Sequence, residues 1–265
     1  MRLYLLFILL CPLLVFAQED REPLFSSFDG TKIYYEVTGE GTPVVLLHGF
    51  MSSSKSWKRG LLIQNLAENG FKVINVDLRG NGLSDKPHLL EAYQDNAELK
   101  DVMALMKHLG CKKYYVVGYS RGAILVAKQL TLDKHIMKAV IGGAGVDFTN
   151  PNWERRKMFA EAFSGKAHLY PETKGAIESA KRNGVDTLVM GYLQKVQPTT
   201  LPTELRKVKK PVLVISGDHD NDNGDVAALA KLIPNATLKT VPGNHGNTSQ
   251  SEAFAKEILA FLKEK

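Results

Sequence analysis

The segment Gly118-Tyr119-Ser120-Arg121-Gly122 decides the fold of this chain. It follows an apolar, β-branched run that predicts a buried strand at Lys113–Val117, and it precedes a helix-like apolar run at 123–127. A serine at such a strand-to-helix turn sits in a sharp bend with its hydroxyl exposed, and the flanking glycines avoid side-chain clashes there. The segment therefore predicts a nucleophilic serine at the carboxyl end of a strand.

Apolar runs of the same kind recur along the chain. Further buried strands are predicted at Pro43–Leu47, Lys72–Val76, Lys138–Ile141, Val212–Ile215 and Thr237–Val241. A β-hairpin is predicted from Leu24–Phe28 and Lys32–Val37, because Asp29-Gly30 suits its tight turn. The clearest helices are Leu90–Leu109 and Glu252–Lys263. Continuous apolar strands separated by helices predict an α/β fold with a mostly parallel sheet covered on both faces.

One long segment, from about Asp147 to Arg206, has a helical pattern without a convincing strand. It lies between two predicted strands, so we interpret it as an insertion within one domain at 18–265. Ligands of such sheets bind at the carboxyl ends of the strands, where an insertion can act as a lid. Its large apolar residues either pack a small core of the insertion or face a pocket: Trp153, Met158, Phe159, Phe163, Tyr170, Met190 and Tyr192.

A serine nucleophile needs a base, and the base needs a third group to orient it. His245 directly follows the strand Thr237–Val241, and Asp220 directly follows Val212–Ile215. Ser120, Asp220 and His245 are therefore the predicted catalytic residues. Alternative carboxylates are Asp218, Asp222 and Asp225 in the same loop and Asp147 after another strand.

Acyl transfer also requires two donors for the developing oxyanion. The backbone N–H of Arg121, directly after the serine, is one candidate. The other is the N–H of Phe50 in the loop His48-Gly49-Phe50, with Met51 as the alternative. We expect the Arg121 side chain in solvent, and the alternative is that it adds a cation beside the oxyanion. His48 and His219 are interpreted as structural neighbours of the site.

These motifs resemble the α/β-hydrolase superfamily, in its lid-bearing branch of esterases and C–C hydrolases. The loop His48-Gly49-Phe50 and the segment Asp77-Leu78-Arg79-Gly80-Asn81-Gly82-Leu83-Ser84 match that branch. The resemblance implies an eight-stranded sheet, Ser120 as the nucleophile, and Asp77 and Arg79 as residues that brace a loop. A serine nucleophile argues against epoxide hydrolases and haloalkane dehalogenases, which use aspartate in this branch.

The expected activity is that of a carboxylesterase which cleaves small esters through an acyl-enzyme. The same triad would also serve C–C, thioester or amide hydrolysis or perhydrolysis, and a hydrolase-like sensor of small molecules is a non-enzymatic alternative. Metal, nucleotide and flavin motifs are absent from the sequence, so we expect neither a cofactor nor a metal.

The first 17 residues have the order of a secretory signal peptide: a short basic start, an apolar run, and small residues before a polar segment. We expect cleavage after Ala17 and a secreted or periplasmic protein without a stable membrane span. A retained anchor is the alternative. Cleavage would leave Cys111 as the single cysteine of the mature chain.

The composition is that of an ordinary globular protein, with 265 residues and 44% hydrophobic residues. The net charge of +6 comes from interleaved signs and forms no basic stripe, so we expect a small-molecule substrate and no nucleic acid. Composition leaves the oligomeric state, the acyl chain and the alcohol group open.

Overall fold

A computed structural model of the chain describes residues 23–264. Eight strands form one sheet in the order β1-β2-β4-β3-β5-β6-β7-β8. The strands are β1 (Leu24–Ser26), β2 (Lys32–Thr38), β3 (Thr42–Leu47), β4 (Phe71–Val76), β5 (Tyr114–Tyr119), β6 (Ile136–Gly142), β7 (Val212–Gly217) and β8 (Ala236–Val241). The β1–β2 hairpin is antiparallel, β2 pairs antiparallel with β4, and the remaining pairs are parallel. The predicted α/β fold with a mostly parallel, eight-stranded sheet is confirmed.

Helices connect most of the parallel strands. The α-helices of the described residues are α1 (Leu62–Ala67), α2 (Ala97–His108), α3 (Arg121–Leu132), α4 (Glu154–Glu161), α5 (Lys174–Arg182), α6 (Thr187–Lys195), α7 (Pro202–Leu205), α8 (Val226–Leu232) and α9 (Glu252–Lys263). Short 3₁₀ turns form at Ser54–Arg59, Leu90–Tyr93, Val146–Thr149, Ala167–Leu169, Pro171–Thr173 and Thr248–Gln250, and one π-helical turn forms at Ala162–Lys166.

Alternate side chains of a strand point to opposite sides of the sheet. In the central strands both sets are buried, because an apolar cluster covers each face. Val44 and Leu46 of β3 belong to the apolar cluster that includes residues of α1 and α9. Val45 and Leu47 belong to the cluster on the other face, with residues of α2 and α3. The two faces are therefore covered by different helices, α1 and α9 on one side and α2 and α3 on the other.

The predicted helix, at about Leu90–Leu109, is wrong in its first third. The chain forms a 3₁₀ turn at Leu90–Tyr93 and begins α2 only at Ala97. Asp95 and Asn96 between them have φ angles of 52° and 58°. Aspartate and asparagine tolerate this left-handed region better than most residues. The two left-handed residues separate the 3₁₀ turn from α2.

Between β6 and β7 the described chain contains helices α4 to α7 and no strand, as the helical pattern predicts. We call residues 147–206 the helical insertion. None of the helices that the structure describes is both long and apolar enough to cross a membrane. The predicted signal peptide and its cleavage after Ala17 lie outside the described residues.

Candidate active site

Ser120 occupies the turn between β5 and α3 with φ 55° and ψ −122°. This backbone region is open almost only to glycine, and a side chain there costs about 1–3 kcal/mol. A hydrogen bond from the Ser120 N–H to the carbonyl of Gly142 at 2.8 Å helps to hold the turn in place. The strained turn lifts the Ser120 side chain above the carboxyl end of the sheet.

The two glycines of the turn are required by close backbone approach. A Cβ atom on Gly122 would lie 2.1 Å from the carbonyl oxygen of Leu47 in β3. A Cβ atom on Gly118 would lie 2.3 Å from the carbonyl oxygen of Gly122 itself. The helix α3 can therefore begin directly against the neighbouring strand, which places its N-terminal amides beside Ser120.

The three predicted catalytic residues meet at this end of the sheet. The Nε2 atom of His245 lies 2.9 Å from Oγ of Ser120. Its Nδ1 atom lies 3.0 and 2.9 Å from the two carboxylate oxygens of Asp220. Because an ionised carboxylate only accepts, Nδ1 carries the ring hydrogen and Nε2 is left to take the serine proton. The arrangement can deprotonate Ser120 and orient its base.

Asp220 stays ionised in this setting. Its side chain is nearly buried, and burial alone would raise its pKa. The hydrogen bond and charge of His245 outweigh that effect, and the pKa of Asp220 is lower than its ordinary value. Asp220 can therefore hold the ring hydrogen of His245 and stabilise a positive charge on the imidazole.

Two alternative acids have other structural tasks. Asp218 accepts a hydrogen bond from the Gly243 N–H at 2.9 Å and thereby holds the loop after β8. Asp225 accepts from the Ala228 N–H at 2.9 Å and caps the N-terminus of α8. Neither forms a hydrogen bond with His245.

The other two alternative acids, Asp222 and Asp147, also contact groups other than His245. Asp222 is half-exposed and pairs with Arg155 at 3.5 Å. The Asp147 carboxylate lies against the backbone of Gly224, where a Cβ atom would be 2.2 Å from its Oδ1. Among the residues that the structure describes, Asp220 is thus the carboxylate bonded to His245.

Tyr119 supports the base, and sequence reasoning missed it. Its hydroxyl donates to the carbonyl of His245 at 2.8 Å, and its ring centroid lies 5.4 Å from that of the imidazole. Burial, with the nearby Asp220 carboxylate, raises the pKa of Tyr119 well above its ordinary value, so the hydroxyl remains a donor. The sequence feature that could have identified Tyr119 as part of the site is its position directly before Ser120.

The candidate oxyanion donors are free to bind a ligand. The backbone N–H groups of Phe50 and Arg121 donate to no protein acceptor within residues 23–264. The Met51 N–H is equally free, so the geometry does not remove that alternative. Phe50, Met51 and Arg121 all line one cavity with Ser120.

The expected exposure of the Arg121 side chain is wrong. It is 4% exposed, and its guanidinium forms two hydrogen bonds to the buried carboxylate of Glu98, at 2.8 and 2.5 Å. It also donates to the Leu193 carbonyl in α6 at 3.2 Å. Arg121 therefore joins the turn of Ser120 to α2 and to the helical insertion. In the sequence, Glu98 is an acidic residue near the start of an amphipathic helix, and no pattern predicted that it would pair with Arg121.

The two neighbouring histidines differ in exposure. His48 is buried, and its Nε2 accepts from the Leu78 N–H at 3.2 Å while Nδ1 lies 2.9 Å from the Gly49 carbonyl. Burial lowers the pKa of His48, so it joins two loops as a neutral ring. His219 is largely exposed and lies 2.7 Å from a carboxylate oxygen of Asp218.

Asp77 and Arg79 brace the loops around the site. The Asp77 carboxylate accepts from the Ser54 N–H at 2.6 Å and from the Leu83 N–H at 2.7 Å. The Arg79 guanidinium is fully buried and contacts Asp101 at 2.6 Å through both Nε and Nη2. These contacts are those of structural groups, as the sequence resemblance implies.

The triad opens into a cavity of about 270 Å³ beneath the helical insertion. Apolar and polar side chains line it together, and they include Phe50, Ile124, Trp153, Arg156, Phe159, Gln194 and Gln197. Phe163 and Met190 instead form a small buried core of the insertion, against which Phe159 packs. The apolar residues of the insertion therefore fall into two groups: some pack its small core, and others line the cavity.

The described part of the chain contains no cluster of three His, Cys, Asp or Glu side chains arranged to hold a metal ion.

Known proteins share this fold. The model of the α/β-hydrolase fold family matches residues 42–156. A non-heme haloperoxidase of Rhodococcus erythropolis is 27% identical over 91% of this chain and 99% of its own. A bromoperoxidase from Bacillus anthracis superposes with a TM-score of 0.70 at 25% identity, covering 88% of this chain and 96% of that one. An esterase from Rhodococcus sp. ECU1013 has a TM-score of 0.66 at 28% identity, covering 91% and 98%.

The sheet order, the strained serine turn and these similarities define an α/β-hydrolase-type enzyme. The chain belongs to the α/β-hydrolase superfamily.

Proposed function

We propose that this enzyme is a serine carboxylesterase which cleaves small esters through an acyl-enzyme on Ser120. The observation that carries the proposal is the continuous hydrogen-bonded line from Asp220 through His245 to Ser120, with distances of 2.9 Å at both links. Free backbone donors beside the serine support it, because ester cleavage places negative charge at that point.

The proposed reaction has two balanced halves. His245 takes the Ser120 proton as Oγ attacks the ester carbonyl, and the Arg121 and Phe50 amides donate to the oxyanion. The C–O bond breaks, and the alcohol leaves with the proton from His245. Water then loses a proton to His245 and attacks the acyl group, which departs as a carboxylic acid and restores the Ser120 hydroxyl.

We further propose that the helical insertion acts as a lid over this reaction. Arg121 bonds to the Leu193 carbonyl of α6, and Phe50 packs edge-on against Phe159 and Phe163 at centroid distances of 5.8 and 5.3 Å. These contacts tie the insertion to the turn and loop that carry the oxyanion donors. The aromatic rings of Phe50, Phe159 and Phe163 suit the exclusion of water from the acyl-enzyme.

A fluorophosphonate probe and an ester series test the proposed function together. We expect the probe to label Ser120 once per chain, because an activated serine attacks its phosphorus centre. We expect the cavity, about 270 Å³ in size, to favour short acyl chains in a series of 4-nitrophenyl esters. Peptide mass spectrometry identifies the labelled residue, and absorbance follows turnover. Absence of labelling would favour the sensor alternative.

The choice of Asp220 as the acid is tested by Asp220→Asn. An amide at this position favours the wrong imidazole tautomer, so we expect kcat for a short ester to fall by about 10⁴-fold. The matched control is Asp218→Asn, which changes a carboxylate two residues away that bonds to Gly243 rather than to His245. Comparable losses in both variants would show a general effect on the loop and reject the assignment.

Perhydrolysis is the second candidate function, favoured by the similarity to a non-heme haloperoxidase over 91% of this chain. The acyl-enzyme would react with hydrogen peroxide instead of water and release a peracid, with Ser120 recovering its proton. Peracid formation from peroxide and acetate, measured by halide oxidation in wild type and Ser120→Ala, decides this candidate. Equal rates in both proteins would reject it.

A further inference from the structure

We propose that the substrate of this site carries a carboxylate, which Arg156 of the helical insertion binds at the end of the cavity away from the scissile bond. The inference rests on the proposed esterase function and specifies its substrate class. Its starting point is that Arg156 lines the same cavity as Ser120 and His245.

The charges that face this cavity are paired, with one exception. The guanidinium of Arg121 is neutralised by Glu98 at 2.5 Å. Arg155 pairs with Asp222 at 3.5 Å. For Arg156 the structure of residues 23–264 provides only neutral acceptors and no carboxylate. The cavity therefore has one uncompensated positive charge.

The guanidinium of Arg156 is held in position without being neutralised. Nη1 donates to the Gln197 carbonyl and to Oγ1 of Thr199, both at 3.1 Å. Nη2 donates to the Pro151 carbonyl at 2.7 Å. These bonds use three of its five N–H donors, and the others have no protein acceptor within the described chain. A fixed, planar donor with spare hydrogens suits a carboxylate oxygen.

Two amide side chains beside Arg156 point to the same ligand chemistry. Gln194 and Gln197 are 6% and 4% exposed, and both line the cavity. Neither side-chain amide forms a hydrogen bond with another described residue. Their amide groups are open to the cavity, and a ligand oxygen there would accept hydrogen bonds from their N–H donors. The second carboxylate oxygen is the group they would receive.

The same cavity also has an apolar part. Ile124, Trp153 and Phe159 are among the apolar side chains that line it. Burial among such groups also lowers the pKa of Arg156, with no nearby carboxylate to oppose that shift. The substrate that fits this arrangement is a small ester in which an apolar spacer separates a free carboxylate from the scissile carbonyl.

Two 4-nitrophenyl esters that differ only in this charge test the proposal. One is the 4-nitrophenyl monoester of adipic acid, and the other is the same compound with its free carboxyl methylated. We expect the wild type to prefer the anionic ester through a lower KM. We expect Arg156→Gln to reduce the ratio of kcat/KM values, anionic over neutral, by about 10- to 100-fold, since hydrogen bonds to charged groups contribute at that level.

The matched control is Lys157→Gln, which removes the same charge from the next residue of α4. Lys157 is exposed and pairs with Glu154 at 3.1 Å, so the preference for the anionic ester should remain. Arg156→Lys keeps the charge without the planar fork and should restore part of the preference. An unchanged ratio in Arg156→Gln, or no preference in the wild type, would overturn the proposal.

Binding without turnover separates this proposal from the esterase function. We expect calorimetry to detect monomethyl adipate binding to Ser120→Ala and a loss of that binding in the double variant with Arg156→Gln. Equal binding by both would contradict the role of Arg156. Hydrolysis that persists in Ser120→Ala would instead contradict the proposed function, whatever the charge preference of the site.

Discussion

Replacing Ser120 with alanine should lower kcat for a short 4-nitrophenyl ester by about 10⁵- to 10⁶-fold. The reason is that the variant lacks the oxygen that attacks the carbonyl, while His245 and the free amides remain in place. Initial rates corrected for spontaneous hydrolysis, together with loss of fluorophosphonate labelling, measure the effect. Rates near those of the wild type would reject Ser120 as the nucleophile and with it the proposed mechanism.

Ser120→Gly provides the matched control, because it is equally without a hydroxyl. The backbone at this residue has φ 55° and ψ −122°, a region that glycine occupies without the penalty of a Cβ atom. We therefore expect Ser120→Gly to unfold at a higher temperature than Ser120→Ala, while both are inactive. The comparison separates the chemistry of the hydroxyl from the strain of the turn.

Replacing Arg79 with methionine should reduce the free energy of unfolding by about 3–5 kcal/mol, the usual cost of breaking a buried ion pair. Arg79 is fully buried and bonds twice to Asp101, whose side chain is 2% exposed. Its loss leaves the Asp101 carboxylate with the Ser27 hydroxyl at 2.5 Å and without a cation. Urea unfolding followed by circular dichroism gives the change.

The control for this stability prediction is an exposed ion pair. Lys58 contacts Glu36 at 2.6 Å but is 49% exposed, so Lys58→Met should change the free energy of unfolding by no more than about 1 kcal/mol. A loss below 1 kcal/mol in Arg79→Met as well would show that the buried network adds little to stability.

Asp29, the outer partner of Arg79, gives the network a pH dependence. Burial opposes ionisation of its carboxylate, but hydrogen bonds from Arg79 and Thr31 outweigh burial and lower the pKa of Asp29 from 3.8 to about 2. A lowered pKa in the folded state stabilises the fold above pH 3.8, and this contribution disappears as the pH falls towards 2. Asp29→Asn should therefore be less stable than the wild type at neutral pH, with a smaller difference near pH 2.

Much of the fold follows from local pattern. The apolar runs predict the strands because a strand buried on both faces needs continuous apolar residues, and the register then aligns their ends. The break before α2 escaped prediction because the apolar pattern continues across Asp95 and Asn96, whose positive φ angles interrupt the helix. Such an interruption depends on two backbone conformations that composition and periodicity do not encode.

The sequence by itself determined the pattern on which the proposed chemistry rests: a serine between glycines after a strand, with a histidine after a later strand. These signals are local, since each residue is placed by the end of its own strand. Only the tertiary structure placed Asp220, rather than the four alternative acids, against His245 and paired Arg121 with Glu98. Within the described residues it also left Arg156 without a counter-ion in the cavity of the triad. Charge pairing and burial are set by contacts between residues far apart in the chain, so they exist only once the sheet, α2 and the helical insertion have packed together.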